Sequence, residues 1–147
     1  MKINDLPPDN IGTIHQVANL LVDGFKTHWP DAWPDLDSAL KEVHESFGED
    51  RISRVAVSDV GSVLGWIGAI REYEGHAWQL HPLVVHPEHQ GIGIGRLLVQ
   101  DLEVQIRQLG GTTIYLGTDD EDGMTSLANI DLYPDVFQHI ARIKNLK

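Results

Sequence analysis

The residues with the plainest chemical use lie in Gln90-Gly91-Ile92-Gly93-Ile94-Gly95-Arg96, a glycine-rich run that opens a helix-like pattern at Leu97. Glycine has no Cβ, so the backbone can approach a ligand closely and adopt φ > 0 without steric cost. Amides at a helix start lack intrahelical acceptors and sit at the positive end of the helix dipole, which suits the segment to phosphate. The apolar run before it, Leu80-His81-Pro82-Leu83-Val84-Val85, carries one titratable side chain, His81. His86 and His89 flank Pro87-Glu88 and invite comparison with a metal centre. Their spacing fits no zinc motif and no third ligand stands out in the sequence, so no metal is expected. Further on, Asp119-Asp120-Glu121-Asp122 forms an acidic cluster, and Trp29 and Trp33 stand in a segment punctuated by Pro30 and Pro34.

Two common phosphate loops do not fit. A P-loop ends Gly-Lys-Ser/Thr to reach phosphates and magnesium, whereas this loop ends Gly95-Arg96-Leu97. A dinucleotide fingerprint spaces its glycines G-x-G-x-x-G after the first strand of a βαβ unit. Gly91, Gly93 and Gly95 are spaced G-x-G-x-G and follow a run of strands.

Those strands are read from period and punctuation. Residues 2–6 make a short strand ended by Pro7-Pro8, and Ile11, Ile14, Val17, Ala18, Leu21 and Phe25 follow helical spacing over about 10–26. Leu36, Leu40, Val43 and Phe47 predict a second helix, with Asp35 or Asp37 as N-cap and Gly48 as its stop. Residues 51–58, 63–72 and 77–85 read as an antiparallel meander with turns at Gly61 and Gly75. Leu97, Leu98, Leu102, Val104, Ile106 and Leu109 predict a helix ending at Gly110-Gly111. Residues 112–117 predict a strand parallel to the one before the loop, because a helix connects them. The tail, 126–147, reads as helical on both sides of Pro134. The order is α+β, with a mixed and mostly antiparallel sheet flanked by helices, in one domain spanning 1–147.

Composition bounds the function classes. The chain has 147 residues, 41% hydrophobic and 22% charged, ordinary for a globular protein. It contains no cysteine, which excludes disulfides, thiolate nucleophiles and Cys-ligated zinc, and accords with a reducing cytoplasm. No apolar run reaches membrane-span length, so no membrane association is expected. The net charge of −11 repels nucleic acid and favours a cationic small molecule, although acidity also serves solubility alone.

Taken with the element order, Gln90-Gly91-Ile92-Gly93-Ile94-Gly95 resembles the acetyl-CoA loop of the GCN5-related N-acetyltransferases, whose first motif position is Arg or Gln. Trp66-Ile67-Gly68-Ala69-Ile70, Leu80-His81-Pro82-Leu83-Val84-Val85, Ile114-Tyr115-Leu116-Gly117-Thr118-Asp119-Asp120, Asp131-Leu132-Tyr133 and Asn145-Leu146 look like one branch of that superfamily, the aminoglycoside 6'-N-acetyltransferases. The resemblance implies that the strand before the loop splays from its parallel neighbour so that pantetheine inserts between them. Backbone groups of Leu83, Val84 and Val85 would pair with pantetheine amides, and the amide near Leu83 would hold the thioester oxyanion. Amides of Gly91, Ile92, Gly93, Ile94, Gly95 and Arg96, with Gln90, would bind the pyrophosphate. The acceptor would be a cationic amine, held by Trp29, Glu72, Asp119 and Asp120. The same apolar strand residues are also ordinary core.

Two departures from the branch stand out. Its glutamate two residues before the His-Pro-Leu-Val-Val block is Gln79 here, which cannot accept a proton as a carboxylate does. His81 is the nearest titratable substitute, with Glu72 or Asp119 acting through water as further candidates, while a strand histidine can equally be a satisfied core residue. The family also continues into a tyrosine-bearing helix and two closing strands, which are expected to be absent here. The strand at 112–117 would then expose an edge, consistent with a homodimer. The leading expectation is an N-acetyltransferase for an aminoglycoside 6'-amine. Alternatives are another amine acceptor, such as a polyamine or protein, and an acyl-CoA-binding or dimerising module without turnover.

Overall fold

Asn10 starts helix α1 (Ile11–Phe25) by accepting the Thr13 N–H at 3.0 Å on its side chain. Asp35 starts α2 (Leu36–Glu45) with a capping box, its carboxylate taking the Ser38 N–H at 2.8 Å. The structure, a computed structural model, describes residues 1–26, 31–72 and 76–116. Within them, β1 (Lys2–Asp5), β2 (Arg51–Val57), β3 (Val63–Glu72), β4 (Ala77–Val85) and β5 (Thr113–Leu116) form one sheet in the order β1-β2-β3-β4-β5. The first three pairings are antiparallel, and β4 pairs β5 in parallel across α3 (Ile94–Gln108). The meander, the crossover and the helices therefore stand where periodicity put them. The helical reading of 126–147 lies outside the described residues, as do Trp29, Asp119 and Asp120.

Alternation along the strands divides the core in two. Ile52, Ala56, Ile67, Leu80 and Leu83 face α3, with Leu98, Leu102 and Ile106 packed on them. Val55, Trp66 and Val84 face the other way, against Val17, Leu21, Ala39 and Val43 of α1 and α2. Arg54 ties three elements together, bonding Asp101 of α3 at 2.7 Å and Asp5 of β1 at 2.8 Å.

One irregularity breaks this alternation. Ile67 pairs with Leu83, but Ala69 pairs with Leu80, so two steps on β3 match three on β4. The extra residue falls at His81-Pro82, whose peptide bond is cis. Proline has no N–H for the ladder and is found in sheets at edges and bulges. Opposite it, the Gly68 Cα lies so close to β4 that an added Cβ would sit 2.7 Å from the His81 carbonyl oxygen. The bulge lets Leu80 and Leu83 share the α3 face while His81 turns to the α2 face.

Gly68→Ala should lose about 1–3 kcal/mol of stability in urea unfolding, because the contact is with backbone that cannot swing aside. Gly12→Ala, whose Cβ would meet only Asn10 Oδ1 at 3.6 Å, should be neutral or stabilising in the same experiment.

Candidate active site

The ladder between β4 and β5 ends at the Leu80–Leu116 pair, while β4 runs on to Val85. Residues 81–85 therefore have β3 on one side and, among the described residues, no strand on the other. Which backbone groups face that opening follows from the register. The His86 N–H donates to the Leu64 carbonyl at 2.8 Å, and bonded and non-bonded pairs alternate along an antiparallel ladder. Val84 therefore exchanges its bonds with Trp66 on β3, and Leu83 and Val85 turn their N–H and C=O groups outward. Of the three strand residues expected at the opening, this phase turns Leu83 and Val85 toward it and Val84 toward β3.

The glycine loop follows directly. Pro87–His89 form a single 3-10 turn, capped by the His86 side chain, which accepts the Glu88 N–H on Nδ1 at 3.1 Å. Gln90 then folds back and donates its side-chain amide to the Val85 carbonyl at 3.3 Å, bracing the loop against the end of β4. Gly91 and Gly93 have φ of 86° and 91°, the left-handed region that side chains rarely adopt. Gly93 is the N-cap of α3 and supplies no side-chain bond, so the amides of Ile94 and Gly95 have no cap from it and no acceptor inside the helix. Ile94 is buried at 3% exposure and anchors the helix in the core, whereas Ile92 is 68% exposed. Any contribution of Ile94 to a ligand is through its backbone. An open strand edge with outward amides beside an uncapped helix start fits acetyl-CoA: the edge matches a chain of amides, and the helix start matches a pyrophosphate.

On the other face of β4, His81 meets a carboxylate that the sequence reading did not select. Its Nε2 lies 3.4 Å from Glu42 Oε1 of α2, and Glu42 Oε2 lies 3.9 Å from Arg51 at the start of β2. Glu42 shares the inward face of α2 with Ala39 and Val43, and only 15% of its side chain is exposed. The His81 hydrogen bond, reinforced by His81 and Arg51 charge and by a bond from the Trp33 side chain, holds its carboxyl below the ordinary carboxylate value, against the opposing effect of burial. Trp33 is buried, packs edge-on to Phe25 at 4.7 Å between ring centres, and stands 6.0 Å from the His81 ring. The signal for Glu42 was a carboxylate one position before core residue Val43 on an amphipathic helix, but nothing local ties it to a histidine 39 residues away.

The remaining candidates fall at different distances from this centre. Gln79 is half-buried and opposite Ile70, on the same face of β4 as His81. Glu72 pairs with Ala77, two positions farther along the strand, so the register brings it near Gln79 but not to His81. Arg96 is exposed on the first turn of α3. The ligand atoms of His86, Glu88 and His89 lie within 4.8 Å of one another, but His86 Nδ1 is engaged in capping the turn. Among the described residues no helix is long and apolar enough to cross a membrane.

Comparison with known proteins agrees with this geometry. The model of the acetyltransferase (GNAT) family matches residues 14–133, and the chain belongs to that family. An aminoglycoside 6'-N-acetyltransferase solved with coenzyme A is 35% identical, with a TM-score of 0.70 over 80% of this chain and 62% of that one. The aminoglycoside 6'-N-acetyltransferase from Enterococcus faecium is 34% identical, with a TM-score of 0.67 over 79% of this chain and 61% of that one. An aminoglycoside 6'-acetyltransferase of type Ii is 31% identical, with a TM-score of 0.73 over 95% of this chain and 81% of that one. The chain thus spans about three fifths of the length of the first two, 62% and 61%. No curated protein matches it in sequence.

The lowered Glu42 carboxyl makes a prediction about stability. The unfolded chain takes up this proton near the ordinary value of 4.5 and the folded chain only at lower pH. The contribution is therefore complete above 4.5 and is lost as pH falls through the folded value. In urea unfolding, the gap between the native chain and Glu42→Gln should narrow as pH falls below 4.5.

Proposed function

We propose that the chain is an acetyl-CoA-dependent N-acetyltransferase that acts on a primary amine, the 6'-amine of an aminoglycoside. The observation that carries the reading is the open edge of β4, with Leu83 and Val85 presenting backbone groups immediately before the glycine loop. Acetyl-CoA supplies an activated acyl group as a thioester. The outward Leu83 N–H is placed to hold the negative charge that develops on the carbonyl oxygen, and the start of α3 to hold phosphate. A protonated amine must lose a proton before it attacks, and His81 is the titratable group on the acceptor face of β4. The net charge of −11 favours a polycation. The aminoglycoside assignment rests further on the three similar structures.

Gln79 favours a second reading. It places a neutral amide where the resembling branch has a carboxylate, and a chain with an intact loop and no base would bind acyl-CoA without turning it over.

Calorimetry with acetyl-CoA and a thiol-release assay separate the readings. Acetyl-CoA binding together with thiol release that depends on an aminoglycoside, and a monoacetylated product by mass spectrometry, is the expected result. Release with a polyamine or peptide amine but not an aminoglycoside would replace the acceptor. Binding without release on any amine would establish the non-catalytic module, and absence of binding would overturn both.

A further inference from the structure

We propose that Glu42 is a positioning residue for His81: its carboxylate receives the Nε2–H of the ring and leaves the Nδ1 lone pair as the proton acceptor for the incoming amine. The proposal rests on the acetyltransferase reading above for the step it serves, but its geometry stands without it.

Glutamate is rarely turned inward unless paired, because an ionised carboxylate loses hydration that only close partners replace. Glu42 has partners on both oxygens, His81 at 3.4 Å on Oε1 and Arg51 at 3.9 Å on Oε2. These two, from β4 and from the start of β2, are the charged or titratable groups in contact with it among the described residues. His81, with Arg51 behind it, keeps the carboxylate ionised, and the buried Trp33 walls the ring on a third side, 6.0 Å between ring centres. An imidazole whose Nε2–H is directed at a carboxylate carries its lone pair on Nδ1, in a fixed tautomer and orientation. The 31% exposure of the His81 side chain leaves the ring reachable from solvent.

This arrangement answers what Gln79 lacks. Gln79 occupies the same face of β4 and offers no proton acceptor of useful basicity, whereas the Glu42–His81 pair brings a carboxylate to that face from another element. In the step itself, the ammonium form of the amine gives one proton to His81 Nδ1. The neutral nitrogen attacks the thioester carbonyl, the C–N bond forms, the C–S bond breaks, and the thiolate leaves with the second amine proton. His81 then returns its proton to water. A purely structural alternative is that Glu42 and Arg51 only dock α2 on the sheet.

The first test needs no turnover. At a pH where the His81 ring is neutral, its 15N resonances should show the proton fixed on Nε2, and in Glu42→Ala both nitrogens should move toward tautomer-averaged values. Unchanged resonances would overturn the proposal. The second test uses background dependence. Glu42→Gln should lower kcat about 10- to 100-fold with KM for acetyl-CoA within about twofold. In a Gln79→Glu background, the same substitution should cost less than about threefold, because a carboxylate is then supplied on β4. Equal losses in both backgrounds would assign Glu42 to structure alone. If Glu42→Gln fails to bind acetyl-CoA, Glu42→Asp withdraws the carboxylate from the ring while keeping its charge by Arg51, and should show the same dependence on residue 79. A native chain that binds acetyl-CoA without turnover removes the functional reading, and the ring resonances still decide the proposal.

Discussion

A single extra residue in β4, opposite Gly68, sets the relation between the two halves of the site. Side chains of an unbroken strand alternate, so His81 and Leu83 would share one face. The bulge at His81-Pro82 separates them, and Leu83 enters the core against α3 while His81 reaches Glu42 on α2. The same shift sets the backbone phase beyond it, which leaves the Leu83 and Val85 polar groups facing away from β3. The outward backbone groups and the His81–Glu42 pair thus arise from neighbouring positions of one strand. Gly68 permits this because any Cβ there would press on the His81 carbonyl.

The two sides are built from different physics. The open edge and the loop are built from backbone: outward strand amides, left-handed glycines that a side chain would strain, and the start of α3. Gln90 holds this arrangement together by tying the loop to the Val85 carbonyl, a contact within the chain rather than one with a ligand. The α2 face is electrostatic and depends on particular side chains, since an inward carboxylate is tolerable only while His81 and Arg51 remain beside it.

These differences explain what could be read from the chain. The cap at Asp35, one of the two acidic candidates, the meander, the glycine loop and the parallel return strand are all local or periodic, and they stand where the spacing put them. The bulge had local signals in Pro82 within a strand and Gly68 within its neighbour, but neither specifies on which strand the extra residue lies. The share of Leu83, Val84 and Val85 in the open edge depends on hydrogen-bond phase, which composition does not encode. Glu42 was hidden because its partner is 39 residues away on another element.

The central claim is that acetyl-CoA lies along the open edge of β4 and ends at the start of α3. Amide hydrogen exchange with and without coenzyme A measures this directly. The prediction is that protection rises at Leu83, Val85 and the amides of residues 91–96, while Val84, already bonded to β3, changes little. Protection confined to other elements, or an unchanged pattern at saturating ligand, would contradict it.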